Sequence, residues 1–191
     1  MKKALLTAIL ALSTSYVSLA EAADYKIDVK GAHASINFKI KHLGYSWLTG
    51  RFNDFSGEYS YDSAAPEKSM VSVEINTASL NSNHAERDKH LRGDDFLDVK
   101  KYPKAEFKST KFEVKSDNSG VMTGDLTLHG TTKSISFPVK KIGEGKDPWG
   151  GYRSGFSGVT SLKLADYGIS YDLGPASTHV ELELNIEGIK Q

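Results

Sequence analysis

The chain has 191 residues, 24 Lys and Arg set against 24 Asp and Glu, and no cysteine. Such a charge balance supplies no basic stripe to displace counterions, so no nucleic-acid partner is expected. The missing cysteines exclude disulfides, thiol nucleophiles and Cys-ligated zinc or iron–sulfur sites, and stability has to come from the core.

Residues 1–22 have the three parts of a secretory signal: Lys2 and Lys3, an apolar run from Ala4 to Leu12, and a small-residue cleavage site at Ala20-Glu21-Ala22. The apolar run falls well short of the roughly 20 residues that span a bilayer. A cleaved leader is therefore expected, leaving residues 23–191 as one domain that works outside the cytoplasm. Without Lys2, Lys3 and Glu21 that domain carries 22 basic and 23 acidic residues.

Ala34, Ile36, Phe38, Ile40 and His42 alternate with Ser35, Asn37, Lys39 and Lys41, the period-two pattern of a strand with one dry face. Residues 48–61 read as a second strand, in which Phe52-Asn53-Asp54-Phe55 suggests a bulge. Val71, Val73 and Ile75 mark a third. The β pattern breaks over residues 80–98, where Asn83 as N-cap, Glu86 three positions on, and no Gly or Pro through Leu91 predict a helix of two to three turns.

Residues 105–114, 121–129, 133–141 and 152–165 read as strands four to seven. They are divided by Asp117-Asn118-Ser119-Gly120, by Leu128-His129-Gly130-Thr131 and by a loop over 143–151 that exposes Trp149 to a barrel mouth or a membrane interface. Val180, Leu182, Leu184 and Ile186, against Glu181, Glu183 and Asn185, form the eighth. The fold expected is all-β: an eight-stranded antiparallel barrel with one short helical insertion between strands 3 and 4.

Strand parity points Phe38, Ile40, Phe52, Phe55, Val73, Ile75, Phe107, Leu126, Phe137, Phe156, Leu182 and Leu184 into the interior. An interior of this kind is either a packed core or a site for one apolar ligand, and alternation alone leaves both open.

Three blocks carry a family resemblance. Asp88-Lys89-His90-Leu91-Arg92, followed by Asp95-Phe96-Leu97-Asp98, Tyr102-Pro103 and Phe107-Lys108-Ser109, is similar to the central signature of the YceI-like family. Gly124-Asp125-Leu126-Thr127-Leu128-His129-Gly130-Thr131-Thr132 resembles that family's Gly-x-Leu-Thr hairpin, and His33, Phe38, His42, Gly50 and Phe52 stand at its spacing. The resemblance implies a lipocalin-like, polyisoprenoid-binding barrel that holds a long-chain isoprenoid or similar amphiphilic lipid. It implies transport, storage or isoprenoid quinone metabolism in the periplasm, with no cofactor and no catalysis. Many relatives place an Arg before the Asp-aromatic-Gly of the seventh strand. Here Leu164 precedes Ala165-Asp166-Tyr167-Gly168, so no head-group contact by that Arg carries over.

His42, His84, Asp88, His90 and Arg92 are the candidates for polar contacts at the barrel rim, either with a lipid head group or between helix and barrel. A metal site built from these histidines and His33 is the sharper alternative, although neither His-Glu-x-x-His nor another established spacing occurs. A hydrolase reading finds no Gly-x-Ser-x-Gly elbow. An outer-membrane barrel is the remaining competitor, since it also alternates. The domain is expected to act as a monomer or homodimer, with transient contact to a membrane protein.

Overall fold

The computed structural model describes residues 22–191 of the chain. The expected leader therefore lies outside the described residues, apart from Ala22. Eleven strands and one α-helix follow in chain order: β1 (Ala23–Ile27), β2 (Ser35–His42), β3 (Ser46–Phe52), β4 (Phe55–Tyr61), β5 (Met70–Asn76), β6 (Leu80–Asn81), α1 (Ala85–Leu91), β7 (Lys104–Ser116), β8 (Ser119–Leu128), β9 (Thr131–Lys146), β10 (Tyr152–Lys163) and β11 (His179–Lys190).

These segments fill eight positions in a closed antiparallel barrel. Three positions are each occupied by two collinear segments. β1 and β2 both lie along β11, through Ile27↔Gly188 and Asn185↔Ser35. β4 and β3 lie along β1 and β2, and β5 and β6 along β4 and β3. The remaining positions follow as β7, β8, β9, β10 and β11, and the β1–β11 pairing closes the ring. The helix stands between the third and fourth positions, as expected.

The segment boundaries have local causes. The strand expected over 48–61 breaks at Asn53 and Asp54, where Asn53 N–H donates to Ser79 O. In the β8–β9 turn His129 and Gly130 both have positive φ (50° and 72°), with Leu128 and Thr131 paired across it. That is the two-residue turn whose twist suits a hairpin. The 143–151 loop is shorter than expected, because β9 runs to Lys146 and Gly143 and Gly145 pair with Gly155 and Arg153. Beyond Val139↔Gly158 the β9–β10 ladder stops, next to Pro138, which has no N–H to extend it.

At one end the barrel is solid. Tyr25 stacks on Tyr59 at 4.9 Å, and Phe156 meets Tyr59 edge-on at 5.6 Å. Burial pushes the Tyr59 hydroxyl pKa well up despite hydrogen bonding to Ser154. On the outer side of the same strands Asp28, His33, Asp147, Arg153 and Glu187 form a charged network. Arg153 reaches Asp28 at 2.7 Å, Glu187 at 2.6 Å and Asp147 at 2.8 Å. Hydrogen bonds from His33 and Arg153 hold the Asp28 carboxyl down at about 2. The outer face bears Lys39 bridged to Glu181 and Glu183, while the same strands turn Phe38 and Leu182 inward. A dry lumen inside a charged wall is the inverse of a barrel whose outer band faces lipid.

Candidate functional site

The interior holds two apolar lobes. The smaller, about 140 Å³, is lined by Val73, Phe107, Phe137, Phe156 and Leu184, with Tyr59, Tyr61 and Met122 at its solid end. The larger, about 340 Å³, is lined by Phe38, Ile40 and Phe52, with Leu80, Leu162 and Ile169. Ile36, Ile75, Leu126 and Leu182 line both and form the waist between them. Phe107 and Phe137 face each other at 5.5 Å, and Phe38 and Phe52 at 6.0 Å.

Eleven of the twelve residues assigned to the interior by parity thus border a lobe, and Phe55 does not. Past the Asn53–Asp54 break Phe55 enters the solid end, where it is buried with Tyr25, Ile27 and Tyr59. Ile36, Tyr59, Tyr61, Met122 and Leu162 also line the lobes and follow the inward parity of their strands. Phe96, Leu97, Ile169 and Leu173 reach the larger lobe from segments outside the strands and carry no periodic signal.

The mouth of the larger lobe is polar. Lys41, His42, Arg87, His90 and Ser177 line it together with Leu43 and Leu173. Of the five residues expected at the rim, His42 and His90 reach this mouth. His84, Asp88 and Arg92 instead hold α1 in place. His84, not Asn83, is the N-cap, its Nδ1 accepting from Arg87 N–H at 3.2 Å, while Asn83 turns the chain with φ of 60°. Asp88 is buried and accepts from the N–H and O–H of Ser82. Burial alone would raise the Asp88 pKa, but these bonds and the nearby Arg92 and Arg87 outweigh it and hold the carboxyl below its ordinary value. Arg87 donates to Ser82 Oγ and O, and Arg92 to Leu80 O. These five bonds tie the α1 segment to Leu80 of β6 and to Ser82 just after it, and Leu80 faces the lobe.

The histidine cluster of the metal alternative does not form among the described residues. His33 and His42 flank β2, roughly 30 Å apart at about 3.3 Å per residue. His90 pairs with Asp95 at 3.0 Å and packs against Phe96 and Tyr171. Among the described residues, Asp28, His33 and Glu187 do offer ligand atoms within 4.8 Å of one another. Arg153 already bridges the two carboxylates, Asp28 and Glu187, so a metal ion would have to displace a guanidinium. Trp149 borders neither lobe; it is 79% exposed, with the Arg153 guanidinium 5.8 Å from its ring.

Comparison with known proteins fits this architecture. The family model described as "YceI-like domain" matches residues 25–188. A UPF0312 protein of Shewanella sp. (strain W3-18-1) is 55% identical over 191 residues, the whole of both chains. The crystal structure of the Campylobacter jejuni YCEI protein superposes with TM-score 0.73 at 34% identity, covering 80% of this chain and 90% of that one. A polyisoprenoid binding domain from Saccharophagus degradans, described as implicated in plant cell wall breakdown, shares the fold with TM-score 0.64 at 18% identity. That match covers 90% of this chain and 100% of the other.

Proposed function

This chain belongs to the YceI-like family, and from that membership and the shape of its interior we propose that it binds a long-chain isoprenoid or similar amphiphilic lipid by its tail. The observation that carries the reading is the pair of apolar lobes joined at a waist, with charged side chains only at one mouth. A repeating apolar tail needs a long dry path and few polar contacts. Burying on the order of 400 Å² of it gains about 10 kcal/mol at about 25 cal/mol per Å², before the cost of ordering. His42, Arg87, His90 and Ser177 stand where a head group would emerge. The polyisoprenoid binding named for the Saccharophagus degradans domain supports the same class of ligand.

With residues 1–22 acting as an export signal, the protein works in the periplasm, where a tail moving through water between two membranes needs a soluble cover. Transport, storage or a part in isoprenoid quinone metabolism all suit a binding protein of this form, acting as monomer or homodimer and meeting a membrane protein transiently. The role requires no cofactor and no catalytic group. Native mass spectrometry of protein purified from its own host tests it. A mass excess that organic extraction removes, and that an added C20 or longer isoprenoid restores, is the expected result. A protein that is empty as purified and takes up no such lipid overturns the reading.

A further inference from the structure

The β2–β3 hairpin has a surface that the binding of a tail does not explain. Its tip places Leu43, Tyr45 and Trp47 in solvent at 57%, 87% and 52% exposure. Tyr45 N–H donates to His42 O, and Leu43 and Gly44 both have positive φ, 53° and 84°. Such a turn favours Asn or Gly at its first central position. A leucine there is unfavourable in its backbone, and its side chain is left more than half exposed. The tip is also part of the cavity mouth, since Lys41, His42, Leu43 and Leu48 line the larger lobe. Across that mouth Tyr171 exposes another aromatic ring.

The charged residues of the hairpin itself have one sign. Residues 39–51 contain Lys39, Lys41 and Arg51 and no carboxylate. Lys39 is bridged to Glu181 and Glu183, whereas among the described residues Lys41 and Arg51 pair with no acid. Lys41 stands opposite Trp47, with its ammonium 5.6 Å from the ring. Exposed Trp and Tyr beside a lysine whose stem runs along an apolar surface is the composition of a membrane–water interface. Cations at such a surface are drawn to anionic lipid head groups. A second copy fits less well, because a two-fold pairing of hairpins would set like charges against each other.

We propose that this hairpin docks the protein on an anionic phospholipid bilayer, with the cavity mouth turned toward the lipid. The direction of docking rests on the lipid-tail reading, but docking itself is measured separately, on lipid-stripped protein. A Trp149→Phe background leaves Trp47 as the only indole, since the chain has two Trp. The protein should sediment with vesicles of phosphatidylglycerol in phosphatidylcholine, and Trp47 emission should shift to the blue. Leu43→Asn should lower vesicle partitioning about tenfold, yet raise the thermal unfolding midpoint of the free protein by about 2–4 °C. Exchanging Lys41 and Arg51 for Glu should weaken binding to the anionic vesicles roughly tenfold and leave the weak binding to phosphatidylcholine alone unchanged. The proposal is overturned if the parent does not bind anionic vesicles, or if Leu43→Asn binds them as well as the parent. It is also overturned if sedimentation shows the hairpin holding a homodimer that Leu43→Asn dissociates. An empty cavity with intact vesicle binding would sink the tail-binding reading and spare this one.

Discussion

Replacing Leu182 by tryptophan should shorten the tail the barrel accepts without harming the fold. Leu182 lines both lobes, paired with Phe38 on one neighbouring strand and Thr160 on the other. An indole at that point projects into the waist and the open 340 Å³ of the larger lobe, so it avoids the overpacking that costs about 1–3 kcal/mol in a filled core. Closing the waist denies the smaller lobe to the tail. A five-carbon isoprene unit excluded there forgoes about 4 kcal/mol at about 0.8 kcal/mol per carbon. Ordering costs no longer incurred leave a net loss of about 2–3 kcal/mol, or roughly 30- to 150-fold in affinity. Calorimetric titration with isoprenoid alcohols of rising length reads this directly. Affinity for the parent should keep rising with length, and for Leu182→Trp it should stop rising at least one unit earlier, while short alcohols bind both equally. Identical length profiles in two equally stable proteins would refute a tail that threads both lobes.

Two tyrosines should respond to loss of the hydroxyl with opposite signs. Tyr59 Oη donates to Ser154 O at 2.8 Å and lies 2.6 Å from its Oγ. Tyr59→Phe strands those buried groups and should cost about 1–3 kcal/mol in urea unfolding. Tyr167 is buried and its hydroxyl has no hydrogen-bond partner among the described residues, so Tyr167→Phe should leave stability unchanged or raise it by about 1 kcal/mol. Gly50→Ala should shrink the larger lobe, since a Cβ there would lie 2.3 Å from the Phe38 ring and 2.8 Å from Asn81 O. Lipid binding and thermal midpoint should both fall, and binding that survives unchanged would show that Phe38 does not bound the ligand. At the solid end, the Asp28 carboxyl titrates at about 2, against an ordinary value of 3.8. Its contribution to stability is whole above about pH 4 and is lost as pH falls toward 2. The midpoint of Asp28→Asn should therefore be lower than the parent's at neutral pH and converge on it in strong acid.

What the sequence shows depends on how strictly each segment alternates. β2 and β11 face solvent on one side and the lumen on the other, so Lys39 against Phe38 and Glu181 against Leu182 declare both faces. β1 is only five residues long and follows directly on the expected leader, too short a run for alternation to mark it as a strand. Gly143 and Gly145 read as loop residues because glycine carries no side-chain pattern, yet they continue β9. Phe55 shows the limit of parity: the break at Asn53 and Asp54 keeps the ring inside but moves it from the lumen wall into solid core. At the rim, residue type alone did not separate His42 and His90, which reach the mouth, from Asp88 and Arg92, which hold the helix. That difference depends on where Ser82 and Leu80 place their backbone groups.

The distribution of polarity inside the barrel also governs what it can discriminate. A hydrophobic pocket tells one methylene from another by only about 1–3 kcal/mol, whereas buried hydrogen-bonding groups reject mismatched ligands far more strongly. No charged side chain lines the smaller lobe, so that lobe measures length and bulk rather than chemical identity. On the proposed tail-binding role, chemical selection would be left to the mouth, which Lys41, His42, Arg87 and His90 line. Those residues come from β2 and α1, and α1 is held by buried Asp88, so the mouth is built on a fixed frame rather than on a free loop. The hairpin proposed to meet the bilayer is the direct continuation of β2. On the two proposals, β2 would carry part of the head-group contact through Lys41 and His42 and lead directly into the docking hairpin, while Arg87 and His90 of α1 would complete the mouth. Mutations affecting both functions should therefore be sought between Lys39 and Arg51, and those affecting head-group contact alone on α1.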